Sequence, residues 1–312
     1  MEKLSFECEL ISPLFQYGAD QNNPEFRAPS MKGVLRYWWR AAQAEANISA
    51  LRSLEGRIFG GTNTKADLNG KAEGEKSTKQ EGRSCFAIRM THKKVDIRKE
   101  AMLPHKKEYK AKANANAIVM YTNFGVEFSF IRMPDEFSPA HLQTLFELTS
   151  LLGGMGGRSR RGFGSFRILR CNNLKSEIAE LKQEDILPQI LSRLNFLSKN
   201  KFTLKNEMIQ LENNKNASYP YIETIALGKP EQDFRPLLRK ISNISHENNS
   251  DYTGYGSYGE RKRLSSPEYV SIIKGEQGKV WPINTSLHLA LEPGFTLRRN
   301  DTRKAFREAI LS

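Results

Sequence analysis

The sequence predicts an α+β chain built as two tandem small-sheet domains with long insertions, and three observations point there. The first half holds period-two segments separated by helical ones in the order β-α-β, β-α-β. The second half mixes further helices and strands after Asn172-Asn173. At 312 residues the chain is long enough for two cores of ordinary size. The expected division is 1–172 and 173–312.

Lys3 to Leu10 alternates, with Leu4, Phe6, Cys8 and Leu10 on one face, and reads as the opening strand. A helix from Met31 to about Ala46 follows, with Ser30 placed to cap its first turn. A shorter helical piece ends at Phe59-Gly60-Gly61. Residues 62–83 carry almost no large apolar side chain and read as a mobile insertion. Ser84 to Met90 returns to a strand pattern, and His92 to Lys112 is densely basic, with Lys93, Lys94, Arg98, Lys99, Lys106, Lys107, Lys110 and Lys112. Val126 to Arg132 is the next strand, Ser138 to Leu152 a helix, and Gly164 to Arg170 the strand that completes the unit. That order is the ferredoxin-like, or RRM-like, pattern. Beyond it, helices are expected over 175–182, 185–197 and 233–244, with a last one capped by Asn300 or Asp301; 269–274 and 286–291 read as strands.

Two segments carry the functional signal. In the first helix Met31, Val34, Leu35, Trp38 and Ala42 form the packed stripe, while Lys32, Arg36 and Arg40 recur every four residues on another side. Lys32 falls in the first turn, where the helix dipole already disfavours a cation and a nearby anion would relieve the conflict. A solvated amphipathic face is an equally good account of this stripe alone. The second segment, Gly153 to Arg167, has six glycines within twelve residues and holds Arg158, Arg160 and Arg161. Glycine lets backbone approach a partner closely, and guanidinium forks suit phosphate oxygens. A plain flexible linker has no need of those arginines.

Together these motifs resemble the RAMP superfamily of CRISPR-associated RNA-binding proteins. More narrowly they are similar to the subunit type of the type III-B (Cmr) effector complex that sits near the guide RNA 3′ end. The resemblance rests on Ile11-Ser12-Pro13-Leu14-Phe15 with Gly18-Ala19-Asp20, on Lys32-Gly33 to Trp38-Trp39-Arg40, and on Glu55-Gly56-Arg57-Ile58-Phe59-Gly60. It rests further on the loop from Gly153 to Gly164 and on Arg263-Leu264-Ser265-Ser266-Pro267. It implies two ferredoxin-like domains, the second degenerate, and a non-catalytic RNA-binding and assembly role in antiviral defence. The implied partners are guide RNA, target RNA and other RAMP subunits of the Cmr complex, with cleavage left to those other subunits.

Composition agrees with a polyanionic partner. Lys and Arg number 48 against 35 Asp and Glu, a net charge of +13. The first 172 residues carry the larger share, +9 against +4. A membrane is not expected, since no long apolar span or signal-like segment is seen, and a cytoplasmic location follows from three scattered cysteines, Cys8, Cys85 and Cys171, read as reduced. No Cys or His spacing suggests a metal, and no nucleotide-binding or metalloprotease motif occurs, so no metal or cofactor is expected. Of five histidines, His92 and His105 flank the basic run, and either one would serve as acid/base in the alternative reading, a metal-independent endoribonuclease acting on CRISPR precursor RNA. A third reading makes the basic surfaces docking sites for acidic sister subunits.

The expected RNA contacts are Lys32, Arg36, Arg40, Arg158, Arg160 and Arg161 to phosphates, the backbone at Gly156 and Gly157, and Trp39 as a partly exposed ring. Tyr252, Tyr255 and Tyr258, alternating with Gly254, Gly256 and Gly259, are further candidates for stacking on bases.

Overall fold

The computed structural model describes residues 3–61, 82–104, 114–213, 217–253, 265–291, 297 and 300–312. The first half contains β1 (Lys3–Leu10), α1 (Ala28–Gln43), α2 (Ile48–Phe59), β2 (Phe86–His92), β3 (Ile97–Ala101), β4 (Asn114–Ile118), β5 (Asn123–Phe130), α3 (Pro139–Leu152) and β6 (Phe166–Cys171). Then come β7 (Leu174–Lys175), α4 (Gln183–Ser198), β8 (Phe202–Lys205), β9 (Met208–Leu211), β10 (Ile222–Leu227), α5 (Phe234–Glu247), β11 (Glu268–Lys274), β12 (Val280–Leu287) and α6 (Arg303–Leu311).

The first sheet runs β2-β5-β1-β6-β7, every pair antiparallel. Its first four strands, counted by chain order, lie 2-3-1-4, which is the ferredoxin-like arrangement with the βαβ crossovers through α1 and α3. The alternation of β1 is as expected: Leu4, Phe6, Cys8 and Leu10 are buried under the helices. The opposite face is polar, with Lys3 paired to Glu127 at 3.0 Å, Arg167 to Glu9 at 2.9 Å and Arg170 to Glu7 at 3.4 Å. An RRM stacks bases on aromatic rings of this face. Here that face, which includes Lys3, Glu7, Glu9, Arg89, Glu127, Arg167 and Arg170, presents no aromatic ring from β1, β2, β5 or β6, so the likeness to an RRM is one of topology.

The second sheet runs β11-β12-β10-β9-β8. β10, α5, β11 and β12 form a split βαβ, with β12 inserted between β10 and β11, as in the first three strands of a ferredoxin-like unit. The place of a fourth strand is taken by the β8–β9 hairpin, which precedes them in the chain. The domain is degenerate in this sense.

α1, α3 and α4 lie between the two sheets, and one core cluster runs from Leu4 and Phe128 through Trp38 and Phe146 to Ile225 and Ile283. A second cluster joins α5 and α6 to the far side of the second sheet through Phe234, Leu238, Val270 and Phe306. Both faces of β11 and β12 are thus covered, which removes the alternation that reveals a strand in sequence. That is why the sequence pattern suggests a strand over 286–291 whereas β12 runs from Val280 to Leu287, and Pro282 within it adds to the disguise.

Other expectations need correction. Ser30 does not cap α1: the helix starts at Ala28 with Arg27 at the capping position, because Pro29 fits the first turn, where no N–H is needed. It ends at Gln43, where Ala44 turns left-handed at φ 42°. Residues 176–182 are not helical; β7 pairs with β6, and Ile178, Ala179 and Leu181 are buried in an irregular segment leading to α4. Ile97–Ala101, within the basic run, pairs antiparallel with Asn114–Ile118 beyond it. Most of the 62–83 insertion, His105, Lys106 to Lys112, Tyr255, Tyr258, the three neighbouring glycines and Arg261 to Arg263 lie outside the described residues.

The start of α3 carries a testable pH dependence. Ser138 caps it, and the Ser138 backbone N–H donates to His141 Nδ1 at 3.2 Å, so that nitrogen must be unprotonated. Burial, then the Lys199 charge, hold the imidazole below its usual 6.5. The folded state therefore binds fewer protons than the unfolded one, and stability falls as pH drops through that value. His141→Gln, which accepts at every pH, is expected to flatten the difference in melting temperature between pH 7.5 and pH 5.5. An undiminished difference would remove His141 as its source.

Candidate nucleic-acid interface

α1 carries its cations on the side turned from the core. Lys32 is half-buried, its ammonium 5.7 Å from the Phe86 ring centroid, and burial lowers its pKa. Arg36 donates through Nε to Glu55 of α2 and through Nη1 to the Gly60 carbonyl at 3.4 Å. Arg40 stands 3.8 Å from the same Glu55 oxygen. Glu55 is buried, whereas the two arginine side chains keep 41% and 44% of their surface exposed. Two guanidiniums thus share one carboxylate, leaving a net positive face open to solvent.

The arginine-glycine loop meets α1 at Tyr37. Arg160 lies over the Tyr37 ring at 5.2 Å and the Tyr269 ring at 5.5 Å, and its Nη1 donates to the Ser266 carbonyl at 2.5 Å. Arg160 thus reaches α1 at Tyr37, one turn before Arg40, and the charges of both arginines act on the Tyr37 hydroxyl.

The rest of the loop corrects that reading. Arg161 donates to the carbonyls of Arg160, Glu268 and Thr253 and to Ser266 Oγ, at 2.8 to 3.0 Å, and stacks over Phe306 at 5.0 Å. Burial, followed by the Arg158 and Arg160 charges, pulls its pKa down to about 10, so it remains cationic at neutral pH. Its donors are consumed in joining the two halves of the chain. Arg158 is half-buried at φ 59°, its Nε has no partner, and burial lowers its pKa.

The glycines serve the chain's own backbone. Gly157 N–H donates to the Phe15 carbonyl at 2.6 Å, and a Cβ on Gly156, at φ 70°, would lie 2.4 Å from that oxygen. Gly162 N–H bonds to the Val270 carbonyl, tying the loop to β11. Trp39 is 2% exposed, with its ring edge-on to Phe59. It packs in the core and offers no face to a base.

One cluster escaped the sequence reading. A cleft of about 450 Å³ opens beside the N-terminal end of the α1 stripe, lined by Arg57, Arg83 and Arg132 with one carboxylate, Asp135, over Ile131, Met133 and Cys85. Cys85 adjoins Phe86, over which Lys32 sits, so Lys32 stands between stripe and cleft. Arg57 forms a two-pronged ion pair with Glu136 at 2.8 and 2.9 Å, whose carboxyl it holds below the usual range. Arg83 and Arg132 are exposed. These arginines are far apart in the chain and meet because β2 pairs with β5, Phe86 opposite Phe130. Only Arg57 carried a sequence signal, through Glu55-Gly56-Arg57.

His92 is exposed, with Nδ1 2.7 Å from the Lys93 carbonyl. Among the described residues no group of three His, Cys, Asp or Glu side chains could hold a metal ion, and no helix is long and apolar enough to cross a membrane.

The chain is 34% identical over 179 residues to CRISPR system Cmr subunit Cmr1-2 of Pyrococcus furiosus, covering 54% of this chain and 96% of that one. To Cmr1-1 of the same organism it is 26% identical over 278 residues, 81% and 70% of the two chains. The crystal structure of Cmr1 from Pyrococcus furiosus in its apo form matches with a TM-score of 0.62 at 19% identity, over 99% of this chain and 96% of that one. A chain of the type III-B Cmr-beta complex bound to cognate target RNA matches at 0.60 and 12% identity, over 99% and 98%. The RAMP superfamily model matches residues 7–167, which take in the second half of β1, both interface helices and the arginine-glycine loop. The chain belongs to the RAMP superfamily.

Proposed function

We propose that the chain is a Cmr1-type subunit of a type III-B CRISPR effector complex. In this reading it holds guide RNA, or the guide–target duplex, by its backbone phosphates, docks against other RAMP subunits and performs no cleavage. Its curated relatives carry the Cmr1 name, and one structural neighbour comes from a complex bound to cognate target RNA. The observation that carries the reading is the row of cations from Arg160 past Tyr37 to Arg40, Arg36 and Lys32, and on into the cleft of Arg57, Arg83 and Arg132. Successive α1 cations are about 6 Å apart along the helix axis. Lysine and arginine on phosphates position a strand without reading its sequence.

Gly33 fits the same account. It is exposed within α1, with nothing within 4 Å of where a Cβ would stand, so no packing inside the chain calls for glycine there. Alanine should stabilise the free protein by about 0.5–1 kcal/mol. If a phosphate backbone crosses the helix between Lys32 and Arg36, the added methyl should also weaken RNA binding. Thermal melts and RNA titrations of Gly33→Ala check both, and a gain in stability with unchanged affinity would move the strand off this face.

The direct test is incubation of the purified chain with guide-length single-stranded RNA in EDTA. Binding that weakens as salt rises, with the RNA left intact, is the expected result. Discrete cleavage products lost on His92→Ala would favour the nuclease reading instead.

A further inference from the structure

We propose that Tyr121 is a base-stacking platform on the side of the first sheet opposite α1, and that it gives the chain a second contact to single-stranded RNA. The proposal rests on the RNA-binding reading above and adds a site to it.

Tyr121 occupies the turn between β4 and β5 with φ 63°, a conformation costly for a bulky aromatic residue, and it is 51% exposed. The backbone is pinned there: Tyr121 N–H donates to the Leu10 carbonyl at 2.7 Å, and Thr122 Oγ1 donates to the Val119 carbonyl at 2.7 Å. The ring is fixed as well. Lys274 Nζ lies 4.3 Å from its centroid and is itself held by Glu9 at 3.5 Å, while Phe234 stands perpendicular at 6.5 Å. An exposed tyrosine immobilised by groups from both halves of the chain has already lost the side-chain entropy that stacking would otherwise cost.

The surroundings suit a nucleotide. Tyr121 borders a groove of about 760 Å³ lined by Thr91, His92, Lys93, Lys94 and Asn123. The carboxylates at the groove have cations of their own: Glu9 pairs with Arg167, Glu7 with Arg170, and Asp96 with Arg98. Lys93 and Lys94 are exposed and take part in no ion pair among the described residues. Their charge is therefore available to phosphates, and the Asn123 amide and Thr91 hydroxyl line the same groove. An aromatic ring beside unpaired cations is the combination by which single strands are held without sequence preference.

The test uses the full chain and a fluorescein-labelled 12-nucleotide oligouridine RNA. Tyr121→Ala should weaken binding roughly thirtyfold, the middle of the range for one stacked base, while Tyr121→Phe binds as the native protein does. Tyr121→Trp places a reporter at the site, and its emission should be quenched as RNA saturates. Native-like affinity of Tyr121→Ala, or a tryptophan signal that RNA leaves unchanged, would overturn the platform. Loss of affinity in Lys32→Ala/Arg83→Ala/Arg132→Ala with none in Tyr121→Ala would overturn the platform alone. Absence of any RNA binding by the native chain at low salt would overturn the functional reading and this site with it.

Discussion

Arg161→Ala is expected to destabilise the protein by roughly 4 kcal/mol, enough to unfold a domain of ordinary marginal stability. The guanidinium gives four hydrogen bonds, and removing it leaves the carbonyls of Thr253 and Glu268 and the Ser266 hydroxyl without that donor in the interior. The Ser266 hydroxyl still donates to the Glu268 carbonyl at 3.0 Å, so the Thr253 carbonyl is the acceptor left stranded, at about 1–3 kcal/mol, and the lost charge-assisted bonds to the other two supply the rest. Lysine should rescue little, because one ammonium cannot span acceptors that a planar fork reaches in different directions. Urea melts of the native chain, Arg161→Ala and Arg161→Lys check this. A loss below about 1 kcal/mol for the alanine variant would mean that the loop is held to β11 chiefly by its backbone bonds, such as Gly162 to Val270.

The second large effect is expected at Arg36. Its partner Glu55 is 3% exposed, and a buried carboxylate stripped of its cation is penalised by about 3–5 kcal/mol. Arg40, 3.8 Å away, and the exposed side of the pair reduce the expected loss for Arg36→Ala to about 2–3 kcal/mol. The double variant Arg36→Ala/Glu55→Gln should recover much of it, because the neutral amide costs less to bury, and a double-mutant cycle by denaturant unfolding reads the coupling directly. Additive single effects would show that the pair contributes nothing. It follows that alanine at Arg36 reports on stability and RNA contact together, so the test of binding belongs at cations that the fold does not use.

The sequence was legible where one face of an element meets water. β1 alternates because its outer face carries Lys3, Ser5 and Glu7, and the α1 stripe could be read because apolar and cationic residues separate at helical spacing. The second sheet was largely hidden, since helices cover both its faces and Asn284, Thr285 and Ser286 are buried beside Ile283. The same limit applied to the site. The arginines of the loop looked alike in sequence, yet Arg161 turns inward because its acceptors come from residues about a hundred positions away, and Arg160 stays beside Tyr37. Ser266, within the family motif near the C-terminus, accepts from both of them, a meeting of two motifs that spacing alone could not reveal. Trp39 sits beside Arg40 in the chain but faces Phe59, and the cleft exists only once β2 and β5 are paired.

The central claim is that the cations of the α1 face and its adjoining cleft hold RNA by phosphates. Lys32, Arg83 and Arg132 have no carboxylate partner among the described residues, so their joint replacement by alanine tests it without disturbing the Glu55 cluster. The measurement is RNA affinity from 50 to 200 mM salt for the native chain and for Lys32→Ala/Arg83→Ala/Arg132→Ala. The account predicts weaker binding and a slope of log affinity against log salt shallower by about 2, corresponding to three lost phosphate contacts to a single strand. The same affinity and the same slope in a folded triple variant would contradict it.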